Sequence, residues 1–268
     1  MPRLAALLVL LLPGAVRAEP GSVTIRLTYE GYASGLHALS ITSDLTLGSD
    51  GYRIAMSGHT AGMIGFLYHA RWRTVSEGTW AGAGIAPRLY DNAGTFGGEP
   101  RHVEIAFHHG MPDLLVLDPR DDHEHEPAPV GLADPSIDSL ALSALLIRQV
   151  ANDGTCGGRL TTFDGRQIQI VTLQSRGPEM LAPTDRSSFR GAAERCDVNG
   201  QVIAGFERDD PARTRTILHD AMWLGPVVAG APNLPVRMNA TTRHLGHTTL
   251  YLTGATVIDG GTRTASKP

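Results

Sequence analysis

The run Asp121–Glu126 holds the residues of this chain that are best suited to bind a metal ion. Its sequence, Asp-Asp-His-Glu-His-Glu, combines imidazoles with carboxylates, which zinc, copper and nickel accept as ligands. His123 and His125 would point to the same side only on a β-strand, and the prolines around the run favour a loop of no fixed geometry. The zinc-protease motif His-Glu-x-x-His is excluded, because Pro127 stands where the second histidine is required. We therefore expect a solvated acidic loop and no metal, with His123 and His125 as weak candidates for an adventitious or regulatory site.

Other residues suited to acid–base chemistry are scattered along the chain: His108 with His109, His244 with His247, and the glutamates Glu77 and Glu104. Neighbouring strand residues face opposite sides of a sheet, so His108 and His109 cannot easily share one ion. The sequence contains no Gly-x-Ser-x-Gly elbow, phosphate-binding glycine loop or dinucleotide fingerprint. We expect no cofactor. An exported metal-dependent or acid–base hydrolase that uses these histidines and acids remains the alternative function.

Aromatic and apolar side chains could line a ligand cleft, because their rings give apolar contact and their polar tips give orientation. The candidates for such a pocket are Tyr29, Tyr52, Tyr68, Trp72, Leu140, Leu145 and Trp223. Packing in the core is the other role open to each of them. If residues 71–73 form a strand, Arg71 and Arg73 share the face opposite Trp72. That face is either a site for an anionic head group or an ordinary solvated strand face.

The elements that must position these residues are mainly β-strands. Apolar and polar residues alternate from Val23 to Tyr29, and the same period recurs along the chain between runs of Gly, Pro, Asp and Asn. Such alternation is typical of antiparallel sheets with one wet face. We therefore predict a mainly β fold, an antiparallel meander that forms an open or half β-barrel.

One segment has a helical period instead. Asp134-Pro135 offers an N-cap and a first-turn proline, the apolar residues that follow have helical spacing, and Asn152-Asp153-Gly154 ends the run. This predicts an amphipathic helix from Pro135 to Asn152, packed on or near the concave face of the sheet. There it acts either as a plug in the core or as a lid over a ligand cavity. A shorter helix or turn is expected within residues 61–69.

The first residues have the pattern of a secretory signal peptide. Arg3 precedes the apolar run Leu4–Leu12, and Val16-Arg17-Ala18 fits a cleavage site. The run is too short for a membrane span, which needs roughly 20 helical residues, and no cysteine follows the cleavage site to carry a lipid. We expect a signal peptide over 1–18, a single β-rich domain over 19–256 and a flexible tail over 257–268. The mature product is expected to be soluble and periplasmic.

Charge and cysteine content narrow the partners and the chemistry. The 268 residues include 23 basic and 27 acidic side chains, and Lys267 is the single lysine. No polybasic stretch can therefore track phosphates, and we expect no nucleic-acid partner. Export to an oxidising compartment predicts that the two cysteines, Cys156 and Cys196, form a disulfide bond.

Short motifs follow one another in an order that points to a known family. They are Tyr29-Glu30-Gly31-Tyr32, Asp50-Gly51-Tyr52, the stretch from Gly62 to Tyr68 with Arg71 and Glu77, the helix from Asp134 to Arg148, Cys156, Phe163-Asp164-Gly165-Arg166, Cys196, Ala204-Gly205-Phe206, Trp223-Leu224 and Leu234-Pro235-Val236-Arg237. This order resembles the domain-of-unknown-function family 3108. The resemblance implies an exported bacterial envelope protein with an open barrel akin to lipoprotein-carrier folds. It implies no catalytic residues.

The sequence thus favours a non-enzymatic envelope protein without a membrane span. We expect its curved sheet to bind an apolar or amphipathic, lipid-like ligand or an envelope protein partner.

Overall fold

A computed structural model describes residues 22–120, 123–209, 215–242 and 245–258, and these residues form thirteen β-strands and two α-helices. The strands are β1 (Val23–Ala33), β2 (Leu36–Leu47), β3 (Gly51–Thr60), β4 (Ala70–Ala81), β5 (Gly84–Phe96), β6 (Glu99–His108), β7 (Met111–Asp118), β8 (Gly157–Phe163), β9 (Ile168–Leu181), β10 (Gly191–Ala204), β11 (Leu218–Gly225), β12 (Leu234–Thr242) and β13 (Gly246–Ile258). The helices are α1 (Gly62–Leu67) and α2 (Ser139–Asp153). Within the described ranges, neither helix is long and apolar enough to cross a membrane.

All thirteen strands belong to one antiparallel sheet in the order β7-β6-β5-β4-β3-β2-β1-β13-β12-β11-β10-β9-β8. Neighbours in the sheet are neighbours in sequence everywhere except at β1 and β13, where the two ends of the meander pair. The sheet curls into a nearly closed barrel, and β7 and β8 are its two edges. The predicted mainly β, open-barrel fold with one amphipathic helix is confirmed.

Strand alternation gives the sheet one apolar face and one polar face. In β1, Ile25, Leu27 and Tyr29 are buried, whereas the residues between them are partly or fully exposed. Buried positions of β2, β3 and β9 to β13 join these residues and the apolar side of α2 in the main core. Two smaller cores lie apart from it, one around Ile105 and Phe163 and one around Ala38. The inner face of the sheet is therefore the face that surrounds α2, and side chains at the alternate positions point outward.

Helix α2 begins four residues later than the sequence predicted. Its N-cap is Asp138 rather than Asp134, and Gly154 ends it in the left-handed conformation expected of a C-cap. The start is displaced because two residues before it are already held in extended pairing. Ser136 donates its N–H to the carbonyl of Gly110, and Ile137 forms a parallel bridge with Thr162.

The same extended segment closes part of the gap between the two edge strands. The N–H of Ile137 donates to the carbonyl of Thr161, and the N–H of Phe163 donates to the carbonyl of Ile137. With the bond from Ser136 to the β6–β7 turn, these contacts tie both edges of the sheet to the start of α2. Edge strands expose unpaired backbone groups, so this segment protects one part of the seam.

Asp138 fixes the N-terminus of α2 inside the barrel. Its carboxylate accepts the N–H groups of Leu140 and Ala141 at 2.9 and 2.8 Å and the hydroxyl of Ser76 on β4 at 2.9 Å. The side chain is fully buried, and this burial raises the pKa of Asp138 to about 6. Asp138 therefore caps α2 and also anchors the N-terminus of the helix to β4.

A disulfide joins Cys156, just after α2, to Cys196 on β10, as predicted. The predicted tail, by contrast, begins two residues too early. Val257 and Ile258 still belong to β13, because they pair with Ile25 and Thr24 of β1. The predicted signal peptide and the rest of the tail lie outside the described residues.

The packing of α2 predicts a large loss of stability when its apolar side is truncated. Leu145 is 7% exposed and lies in the main core, so Leu145→Ala should lower the free energy of unfolding by roughly 2–5 kcal/mol. Urea unfolding followed by circular dichroism measures the change, with Ser143→Ala on the less buried side of the helix as control. A loss no larger than that of the control would mean that α2 does not plug the core.

The environment of Asp138 predicts how stability depends on pH. A carboxyl whose pKa is raised on folding favours the folded state most when protonated, and this contribution is lost as pH rises through about 6. Asp138→Asn keeps a capping side chain but cannot ionise. The quantity to compare is the difference between two free energies of unfolding, wild type minus variant. This difference should fall by roughly 2 kcal/mol between about pH 4.5 and about pH 7.5.

The control for this experiment is Asp134→Asn, which changes an exposed carboxyl a few residues away. Denaturant unfolding at both pH values gives the two differences. The same difference at both pH values for Asp138→Asn would contradict a raised pKa at this position.

Candidate functional site

A groove of about 640 Å³ crosses the outer face of the sheet over strands β1 to β5. Nine of the fourteen residues that line it have polar side chains, and the full set is Thr28, Glu30, Ser40, Ile41, Thr42, Ser57, Gly58, His59, Arg71, Trp72, Arg73, Ala93, Gly94 and Thr95. We call it the basic groove, because its charged residues are two arginines and one glutamate, with a histidine beside them. Its lining comes from five consecutive strands, so the rigid sheet positions every residue.

The alternation of β4 places both arginines on the outer face. Arg71 and Arg73 are exposed, and the ring of Trp72 turns to the other side of the strand. That ring stacks on Phe96 at 6.2 Å between centroids and lies so close to Gly58 that a Cβ there would come within 2.4 Å of it. The predicted arrangement, two arginines opposite a tryptophan, is therefore present.

Other arginines on the outer face of these strands are already paired. Arg26 holds Asp44 through two hydrogen bonds of 2.7 and 2.8 Å and lowers the pKa of that carboxyl, and Arg53 reaches Glu77 at 3.3 Å. Within the part of the chain that the structure describes, the guanidinium groups of Arg71 and Arg73 have no hydrogen-bonding or ion-pair partner. Two exposed guanidinium groups two residues apart can therefore both meet an incoming anion.

Glu30 is the acid in this groove, and its carboxylate is engaged by neighbours. The Ser40 hydroxyl donates to Glu30 Oε2 at 2.7 Å, and the His37 imidazole contacts the same oxygen. The groove thus has a positive side on β4 and a satisfied carboxylate on β1. Hydroxyl groups of serine and threonine stand between them, as in sites that hydrogen-bond to polar head groups.

A second concavity of about 520 Å³ continues the basic groove towards helix α1. The two share His59, Arg71 and Thr95, and the second adds His69 and the side of α1 with Phe66. Polar and cationic groups therefore lie next to an apolar surface. A molecule with an anionic head and an apolar portion matches this order of surfaces.

Four residues of the predicted ligand pocket lie in the core around α2: Tyr29, Tyr52, Leu140 and Leu145. Tyr29 donates its hydroxyl to the carbonyl of Pro235 at 2.8 Å, and the hydroxyl of Tyr52 shares a hydrogen bond with Ser76. Burial raises the pKa of both phenols. These contacts account for the four as interior packing, and their contact with a ligand stays a prediction.

The other three residues of that set are Tyr68, Trp72 and Trp223, and Trp223 is buried in the same main core as these four. Tyr68 follows α1 as its C-cap, and Trp72 lies on β4 beside the basic groove. Trp223 on β11 donates its indole N–H to Glu179 at 2.9 Å, and the guanidinium of Arg195 lies over its ring. Five of the seven residues are therefore buried in the main core, and joint contact of the set with a ligand stays a prediction.

The histidine-rich run is more ordered than its composition suggested. Asp121 and Asp122 lie outside the described residues, but the segment after them is tied to residues 206–208 by backbone hydrogen bonds. Glu124 forms a bidentate pair with Arg101 at 2.8 and 2.9 Å. No group of three or more metal-ligating side chains occurs within the described ranges. His123 and His125 remain weak metal candidates.

The remaining acid–base candidates are separated in the fold. His108 ends β6, and His109 lies in the turn that follows. Glu77 on β4 binds Arg53 and Arg88, whereas Glu104 lies two strands away on β6. His244 lies outside the described residues, so its pairing with His247 stays untested.

Sequence reasoning did not find the residues that complete the basic groove, namely Glu30, Ser40 and His59. They come from three different strands, and only the register of the sheet brings them beside Arg71. One signal was available in the sequence. Residues 51–76 include three arginines and two histidines but no acid, in a chain with a net charge of −4.

Comparisons with known proteins agree with this fold. The sequence matches the family described as "Protein of unknown function (DUF3108)" over residues 24–253. A comparison with curated proteins gives no match. The structure is similar to the crystal structure of a β-barrel-like protein of domain of unknown function DUF1849 from Brucella abortus. The TM-score is 0.50 at 11% sequence identity, over 88% of this chain and 98% of that one.

Proposed function

The chain belongs to the DUF3108 family of proteins of unknown function, and we propose that it is an exported periplasmic protein that binds an amphipathic molecule with an anionic head group in the basic groove. In this proposal the protein is a binder and not an enzyme. The guanidinium groups of Arg71 and Arg73 hold the anionic head. The apolar part of the ligand extends towards α1.

One observation carries the proposal: two arginines, two residues apart on one strand, line the basic groove with exposed guanidinium groups that have no partner in the described chain. Arginine is well suited to carboxylate and phosphate because its planar fork donates two parallel hydrogen bonds. The engaged carboxylate of Glu30 favours a ligand that also has neutral polar groups, since these can approach it without repulsion.

Support for export comes from the sequence of the first residues and from the disulfide. Arg3 followed by the apolar run Leu4–Leu12 fits a signal peptide, and a bond between Cys156 and Cys196 fits an oxidising compartment. The barrel-like fold is compatible with ligand binding, and the similarity to the Brucella abortus protein concerns the fold alone.

The proposal predicts that a soluble anionic amphiphile binds through Arg71 and Arg73. Dioctanoyl phosphatidylglycerol, kept below its micelle concentration, should bind the mature wild-type chain in isothermal titration calorimetry. Arg71→Gln with Arg73→Gln should weaken that binding about tenfold or more, because two charge-assisted hydrogen-bonding groups are lost. The zwitterionic dioctanoyl phosphatidylcholine should bind the wild type more weakly than the anionic lipid.

A matched control removes two exposed arginines elsewhere, Arg159→Gln with Arg190→Gln, and should bind like the wild type. Circular dichroism melting verifies that both double variants fold. The groove would be an ordinary solvated strand face if the wild type binds no anionic amphiphile. The same conclusion follows if both double variants bind it equally well.

A further inference from the structure

Helix α1 presents an apolar face to solvent. Met63, Phe66 and Leu67 are 67%, 80% and 80% exposed. Their spacing of i, i+3 and i+4 places all three on one side of the helix. Leu36, at the start of the strand that α1 contacts, is 50% exposed as well. We call Met63, Phe66 and Leu67 the apolar helix face. Large apolar side chains exposed together are typical of interaction sites.

The surrounding structure holds this face in place. Thr60 donates its hydroxyl to the carbonyl of Tyr68 at 2.7 Å and accepts the N–H of Ala70 at 2.9 Å, which fixes both ends of the β3–β4 connection. Ile64, on the inner side of α1, packs against a small core of Ala33, Ala38 and Leu39. The helix is therefore anchored from below, and its three largest exposed side chains project outward.

The start of α1 requires a glycine. Gly62 has a φ of +57°, and a Cβ at this position would lie 2.6 Å from the carbonyl oxygen of His37. The helix thus lies directly on β2, with no room for a side chain between them. This close approach keeps the apolar helix face in one orientation relative to the sheet.

A cationic side chain, Arg71, borders the apolar helix face on the side of the basic groove. The concavity beside Phe66 is lined by His59, His69 and Arg71 and by no acidic residue. Arg73 follows on the same face of β4. Among nearby acids, Glu30 is engaged by Ser40 and His37, and Glu99 lies on the adjoining β5–β6 hairpin. An apolar surface with a cationic border is complementary to an anionic lipid bilayer, whose head groups surround an apolar interior.

We propose that the apolar helix face docks this protein on the surface of an anionic phospholipid bilayer. Phe66, Leu67 and Met63 enter the boundary between head groups and acyl chains, and Arg71 and Arg73 contact the phosphates around them. This surface goes beyond the ligand of the basic groove: it would bring the groove to the membrane from which an amphipathic molecule could be taken or to which it could be delivered.

Vesicle co-sedimentation tests the proposal. The mature wild-type chain should sediment with vesicles of phosphatidylglycerol and phosphatidylcholine and much less with phosphatidylcholine alone. Phe66→Ser with Leu67→Ser should lower the partition coefficient about tenfold or more, since two large apolar side chains no longer enter the bilayer. The control, Met180→Ser with Ile217→Ser, removes two other exposed apolar side chains, 73% and 52% exposed, and should bind like the wild type.

Three results would overturn the proposal. The first is a wild type that does not sediment with anionic vesicles or sediments equally with neutral ones. The second is a Phe66/Leu67 double variant that folds, by circular dichroism, and binds like the wild type. The third is a wild-type dimer in size-exclusion chromatography that this variant loses, because the face would then bind a second copy of the chain. The vesicle assay contains no soluble amphiphile and the calorimetric assay contains no vesicle, so this proposal and the groove proposal can fail separately.

Discussion

The fold depends on covering the apolar inner face of a thirteen-stranded sheet, and α2 packs in the main core on that face. A sheet with one dry face is stable only when that face packs against something else. Here the helix supplies seven buried residues, and Asp138 fixes its start through two backbone N–H groups and the hydroxyl of Ser76. The disulfide between Cys156 and Cys196 ties the C-terminal end of the helix to β10. The helix is thereby held at both ends inside the barrel.

Because α2 and apolar side chains pack in the interior, the candidate binding surfaces lie on the outer face of the sheet. Strand alternation that sends apolar residues towards α2 also sends Arg71, Arg73 and His59 outward. The basic groove and the apolar helix face lie side by side on that surface, where five strands and a short helix hold their residues. A rigid barrel that carries a cationic groove beside an apolar projection is suited to a molecule with a charged head and an apolar tail.

The sequence predicted the features that depend on local patterns. The period of two in β1 and the helical spacing around Leu140 follow from neighbouring residues, as does the opposite orientation of Arg71 and Trp72. The start of α2 was wrong, because the extended pairing of Ser136 and Ile137 with distant strands overrode the local signal at Asp134-Pro135. The basic groove was missed for the same reason. Glu30 and Arg71 are 41 positions apart, and only the sheet register makes them neighbours.

Native mass spectrometry of the protein purified from its exported fraction tests the central claim most directly. The wild type should carry a bound molecule whose mass and fragmentation identify an anionic head group joined to an apolar chain. The double variant Arg71→Gln with Arg73→Gln, purified in the same way, should have lost most of it. A wild type without any such molecule, or a double variant that retains it equally, would contradict the claim that these two arginines hold an anionic amphiphile.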